Sequence, residues 1–120
     1  MVAVEKKRNG ASGRYRIQTR TARMLFGGTI YEGAEVVVRL DVSVGLFVGL
    51  QDLIAEEKQL LVFYEFGEKV LQSWNLEDDD GMPYPASGDG MNSIPIALAT
   101  IILQKWVEEA TELPDPLDVQ

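Results

Sequence analysis

Trp74-Asn75-Leu76-Glu77-Asp78-Asp79-Asp80-Gly81-Met82-Pro83 separates two apolar segments, and how it is read decides how they relate. It holds an aromatic anchor, a run of acids and the turn pair Asp80-Gly81. Pro83 then restricts the exit. Upstream, Glu56 to Trp74 reads as the strongest helix. Leu60, Phe63, Val70 and Trp74 fall on one stripe, which Leu61, Tyr64 and Leu71 widen. Glu56, Glu57, Lys58, Glu65, Glu68 and Lys69 supply its wet face, with Glu65 and Lys69 as an i,i+4 pair in the favoured order. Downstream, Ile94 to Ala110 is apolar nearly all round as far as Leu103. A helix of that kind is buried on several sides or covered by a partner. Ser93 is its expected N-cap, with Pro95 in the first turn. The stretch then reads as the elbow of a helical hairpin. Trp74 pins the loop, and Asn75 ends the first helix through its tolerance of the left-handed conformation.

Moving towards the N-terminus, the period becomes two. Residues 14–26 alternate loosely through Tyr15 and Ile17 to Met24, Leu25 and Phe26, as a strand with one wet face would. Gly27-Gly28 signals a turn. Thr29 to Tyr31 and Glu35 to Leu40 are β-prone, separated by Glu32-Gly33, and Val36, Val38 and Leu40 share a face. Ser43 then caps a short helix from Val44 to about Ala55, with Phe47, Leu50 and Ile54 towards the core. Gly45 and Gly49, four apart, permit close packing or weaken that helix. The expected fold is α+β: an N-terminal antiparallel β-hairpin or small meander, then about three α-helices, the last two forming a helical hairpin. Residues 1–13 are expected to be a flexible basic arm, 14–110 a single domain, and 111–120 a flexible tail of acids and prolines.

With 120 residues, the chain is long enough for one domain with a real core. It has no cysteine and no histidine, which excludes disulfides, Cys/His zinc sites and the Ser–His and Cys–His nucleophile pairs. No apolar region follows the basic start, so no signal peptide is expected. The longest apolar stretch, Ile94 to Leu103, is about half of what a membrane-spanning helix needs. Charge is uneven. Residues 1–23 hold Lys6, Lys7, Arg8, Arg14, Arg16, Arg20 and Arg23 against Glu5, a balance of +6, leaving −14 on the rest of a chain whose net charge is −8. The asymmetry describes a basic arm on an acidic body. Such a body repels a phosphate backbone, so nucleic acid is not an expected partner.

The acids of the elbow are the obvious chemical candidates. Asp78 and Asp80 have the spacing of two ligands in a calcium loop. Gly81 follows Asp80 directly, however, and Asp89 stands where the distant glutamate should be. A solvated turn is the expectation, with no metal and no cofactor. Nothing distinguishes one carboxylate from its neighbours as acid–base catalysis requires, and no enzyme activity is expected.

The tract Trp74 to Pro83, followed by an apolar helix carrying Trp106, resembles the tail assembly chaperones of long-tailed bacteriophages (siphophages). In those proteins a β-rich N-terminal stretch and a helix lead into a tract of the form W-N-L-x-[DE]-x-[DE]-G-x-P. The residues that carry the resemblance are Trp74, Asn75, Leu76, Asp80, Gly81 and Pro83, and the similarity covers roughly residues 30–110. It implies a small non-enzymatic chaperone of virion morphogenesis. Such a protein acts in the host cell cytoplasm and is absent from the mature virion. It binds the tape measure protein and promotes assembly of the tail tube protein around it; self-association is a further expectation. The partner-binding residues it points to are Trp74, Met82, Tyr84, Met91, Ile94, Leu98, Ile102 and Trp106. The alternatives are a structural virion component of the head–tail joining or tail-terminator type and a small cytosolic protein-binding module.

Overall fold

A computed structural model describes residues 13–112; residues 1–12 of the arm expected over 1–13 and residues 113–120 of the tail expected over 111–120 lie outside them, while Thr111, expected in the tail, ends the last helix. Three strands, β1 (Thr21–Leu25), β2 (Glu35–Arg39) and β3 (Leu71–Trp74), form an antiparallel sheet in the order β1-β2-β3. Alternation sets its faces. Met24 on β1 and Val36 and Val38 on β2 are buried, while Thr21, Arg23 and Leu25 face outward. The β1–β2 hairpin is the one the alternating valines anticipate.

The ladder has one more rung before β1, where the Leu40 amide donates to the Arg20 carbonyl at 2.8 Å. Asp41 accepts from the Arg20 amide at 2.9 Å and from its guanidinium at 2.8–3.1 Å. These bonds hold the Asp41 carboxyl below its usual range, first through the side-chain hydrogen bonds from Arg20. The same contact raises the Arg20 pKa further above its ordinary value.

Two segments expected to be strands are not. Of the strand expected over residues 14–26, residues 14–19 lie outside the ladder, and Tyr15 and Ile17 stand 74% and 78% exposed. Thr29–Tyr31 is a turn. The Thr29 hydroxyl donates to the Phe26 carbonyl at 2.7 Å and accepts the Tyr31 amide at 3.0 Å, local bonds that compete with a ladder.

Four helices complete the fold: α1 (Val44–Ala55), α2 (Gln59–Lys69), the single turn α3 (Gly88–Met91) and α4 (Ile96–Thr111). Ser43 caps α1 as expected, its hydroxyl accepting the Leu46 amide at 3.0 Å. The helix then stops sharply. Glu57 takes a left-handed φ of 59°, its amide donates to the Ile54 carbonyl and the Lys58 amide donates to the Leu53 carbonyl, both at 3.0 Å. That is a Schellman end with glutamate where glycine is usual. Helix α2 therefore begins later than the expected Glu56. It buries Val62, Phe63, Phe66 and Gly67, a stripe turned away from the expected one, and leaves Leu60 72% exposed.

Helix α2 also ends before Trp74. Arg39 takes the carbonyls at its end: the Arg39 amide donates to Val70 at 2.9 Å and the guanidinium to Lys69 at 3.0 Å. The chain leaves as β3, which pairs Val36 with Trp74 and Val37 with Ser73. Strand β2 thereby satisfies its second edge, and that non-local requirement overrides a helical pattern. Helix α4 packs back over α2 at Trp106, whose ring meets Phe66 edge-on at 5.4 Å and Phe47 at 5.6 Å. The Trp106 indole donates to the Arg39 carbonyl at 2.8 Å, tying the helix to the sheet. Helices α2 and α4 meet through Phe66 and Trp106, as a helical hairpin would have them, but a strand, a loop and a one-turn helix lie between. Ser93 does not cap α4. Its hydroxyl donates back to Asp89 at 2.8 Å, and Pro95 holds the cap position.

Candidate functional site

The tract from Trp74 to Pro83 is a small hairpin at the end of the sheet. The Tyr84 amide donates to the Leu76 carbonyl at 3.0 Å, the Asp78 amide donates to the Met82 carbonyl at 2.9 Å, and Glu77 lies opposite Pro83. One Asp78 carboxylate oxygen accepts the amides of Asp80 at 2.8 Å and Met82 at 2.9 Å. Gly81 closes the turn with a φ of 81°, which a side chain would strain. The acid that looks most like a ligand is thus spent on the turn itself. Among the described residues no three acids converge as a metal ion would require.

Asn75 and Trp74 have roles that the hairpin-elbow reading misplaced. Asn75 does not end a helix. It follows β3, where its side-chain oxygen accepts the Glu35 amide at 2.8 Å and its side-chain amide donates to the Gly33 carbonyl at 3.1 Å. One side chain so clamps the β1–β2 connection to the start of the acidic hairpin. Trp74 does pin the loop: its indole donates to the Tyr84 carbonyl at 2.8 Å. Leu76 is buried beneath them.

The eight expected partner-binding residues are not on one surface. Met91, Ile94, Leu98, Ile102 and Trp106 are buried in the core and unavailable to a partner in this conformation. Trp74 and Tyr84 are half-buried against that core, and Met82 alone is open, at 63% exposure. The excess of apolar residues on α4 is explained from within. Sheet and helices cover it on several sides.

Half of the large apolar residues exposed among those described, namely Val44, Val48, Ile54, Leu60, Leu61 and Tyr64, lie instead on α1 and α2. A groove of about 710 Å³ runs between them, walled by Leu46, Gly49, Leu50, Leu53 and Leu61, with Glu65 and Lys69 at its rim. Glu65 and Lys69 are ion-paired at 2.9 Å, the i,i+4 pair anticipated from sequence. Leu61 is 48% exposed. Leu60, Leu61 and Tyr64 were expected in the core. For Leu61 the available signal was Gly67: a Cβ there would collide with the backbone of Ser87 and Gly88, so Gly67 marks the face of α2 packed on α3, and Leu61 lies about 120° round the helix from it. Leu60 and Tyr64 share the side of Gly67, and no sequence signal sets them outside the core.

A second groove, of about 780 Å³, lies where the β1–β2 connection meets the acidic hairpin. Glu32, Glu77, Asp79 and Asp80 line it, with Tyr31 and Tyr84 on its walls. Among the described residues no polar or charged side chain is buried, and no helix is long and apolar enough to cross a membrane. Set against protein-family models, curated proteins and solved structures, the chain matches none.

Proposed function

We propose that this chain is a non-enzymatic assembly protein that holds an amphipathic helix of a client in the groove between α1 and α2. The groove carries the reading: it is an exposed apolar channel on an otherwise acidic body. Helix-in-groove binding needs such a channel, open backbone for close approach and flanking charge to keep the free protein soluble. At Gly49 a Cβ would meet nothing within 4 Å, so a partner helix can come close there. The resemblance of the Trp74–Pro83 tract to siphophage tail assembly chaperones suggests the client, the tape measure protein, with tail tube assembly as the outcome. The binding seat differs from the one that resemblance pointed to. It is α1 and α2, because Leu98, Ile102 and Trp106 of α4 are buried in the core.

The test is co-purification with a tape measure protein from the same genome. Wild-type chain should retain it and keep it soluble. Leu61→Glu should abolish retention without lowering thermal stability, while Ile96→Glu, exposed on α4 outside the groove, should not. No retention, with the tape measure protein soluble alone, would refute the reading. A structural virion component is the second reading, favoured by the extended, exposed segment before β1. Its detection in purified virions at a ring-like copy number would replace the first.

A further inference from the structure

Residues 13–20 are the least explained part of the described chain. They contain no helix, strand, turn or bend, and every one is exposed. They lead into the Arg20–Leu40 rung and then into β1. The segment alternates strictly, with Tyr15 and Ile17 between Arg14, Arg16 and Gln18. Alternation of this kind suits a strand laid against a surface that is apolar on one side and acidic on the other. Among the described residues none buries Tyr15 or Ile17, which remain 74% and 78% exposed.

The surface with that chemistry is the groove at the opposite end of the sheet. Glu32, Glu77, Asp79 and Asp80 give it negative charge, and Tyr31 and Tyr84 give it apolar wall. It is formed where β1 runs out into its turn and where β3 runs out into Asn75. The segment before Thr21 leaves from the other end, beside Arg39 and Asp41. The arm and the groove on one molecule therefore start from opposite ends of the sheet.

We propose that the arm of one copy docks in the acidic groove of a second copy of this chain. The occupant follows from charge: Arg20 and Arg23 are already paired with Asp41 and Glu35, but residues 1–16 hold Lys6, Lys7, Arg8, Arg14 and Arg16 against Glu5, a balance of +4 that the acidic groove of another copy complements. The contact is head-to-tail. It joins two different patches, and repetition yields a ring or an open row rather than a closed two-fold dimer. It does not depend on the identity of any client.

Sedimentation velocity on the full chain tests it. Wild type should associate in a concentration-dependent way beyond a dimer, and added salt should weaken the association. Tyr15→Ser with Ile17→Ser should be monomeric, and so should Asp79→Lys with Asp80→Lys, both with wild-type far-UV circular dichroism. Because each variant keeps one intact patch, mixing the two should restore dimers and nothing larger. A monomeric wild type, variants that assemble as wild type does, or a mixture that stays monomeric would overturn the proposal.

Discussion

Replacing Gly67 by alanine tests the close backbone approach between α2 and the start of α3. A methyl group on an interior helix glycine ordinarily stabilises by about 1 kcal/mol, by restricting the unfolded chain and completing the helix. At Gly67 that gain meets an obstacle. The new Cβ would lie 2.5 Å from the Ser87 carbonyl carbon and 2.7 Å from the Gly88 Cα, and closer still to the Ser87 oxygen. These atoms are backbone. They cannot rotate away, and the gap is about 1 Å short of the 3.4 Å at which ordinary contact begins. Moving α3 to make room also strains the bond from the Gly88 amide to the Glu68 carboxylate, 2.9 Å in the native packing. Overpacking of this kind costs about 1–3 kcal/mol, and unyielding neighbours place it at the upper end. The net expectation is a loss of about 2 kcal/mol, since the helix gain offsets part of the cost. Gly49→Ala is the internal control, because a Cβ there meets nothing within 4 Å. It should stabilise by up to about 1 kcal/mol. Urea unfolding followed by tryptophan fluorescence reads both. If Gly67→Ala matches or exceeds wild type while Gly49→Ala behaves as stated, the close approach of α2 and α3 is wrong.

Glu57→Gly should raise stability by about 0.5–1 kcal/mol, because the left-handed φ of 59° that ends α1 is strained for glutamate and natural for glycine; thermal unfolding checks it, and a lower midpoint would refute the strain. Asn75→Ala removes the bonds to Glu35 and Gly33 and should cost about 1–2 kcal/mol in urea unfolding. Asn75→Asp keeps the acceptor for the Glu35 amide but sets a carboxylate against the Gly33 carbonyl, so it should fare no better than alanine. The Arg20–Asp41 contact makes a pH prediction. The folded carboxyl titrates below the ordinary value of 3.8, so its contribution is present above that pH and fades as pH falls below it towards the lowered value. Asp41→Asn should therefore destabilise near neutrality, and its deficit against wild type should shrink in acid. A deficit that is constant with pH would mean the charge on Asp41 does not matter.

The parts of the fold legible in sequence are those set by local period and local caps. Val36 and Val38 alternate as a half-buried strand must, and Ser43 announces α1 through a bond only three residues long. The parts that escaped depend on distant partners or on an atypical residue. Leu71 and Trp74 fit a helical stripe as well as a strand, and only the open edge of β2 decides between them. The end of α1 is hidden because glutamate occupies a position that glycine would have flagged. Tyr15 and Ile17 alternate correctly, but alternation says nothing of whether a partner strand exists in the same body. For the site, an over-apolar α4 was equally compatible with a partner surface and a core helix. The Trp106 bond to the Arg39 carbonyl, made across the whole domain, places it in the core.

That burial changes where binding can occur. The face of α4 that carries Leu98, Ile102 and Trp106 is already filled by Phe47, Phe66 and the sheet, and it cannot be offered to a client without unfolding. The α1–α2 channel has open wall at Leu61 and open backbone at Gly49. It shares no residue with the acidic groove at the end of the sheet, so a client helix and the arm of a neighbour could be seated together. A head-to-tail row of such molecules would present the channel once per copy. For a long client with repeated amphipathic helices, each contact after the first is then intramolecular, and weak individual grooves add up to firm retention. The Trp74–Pro83 hairpin contributes to that arrangement without touching the client. Asn75 fixes it to the β1–β2 connection, Asp78 folds its turn, and Asp79 and Asp80 are left facing the groove.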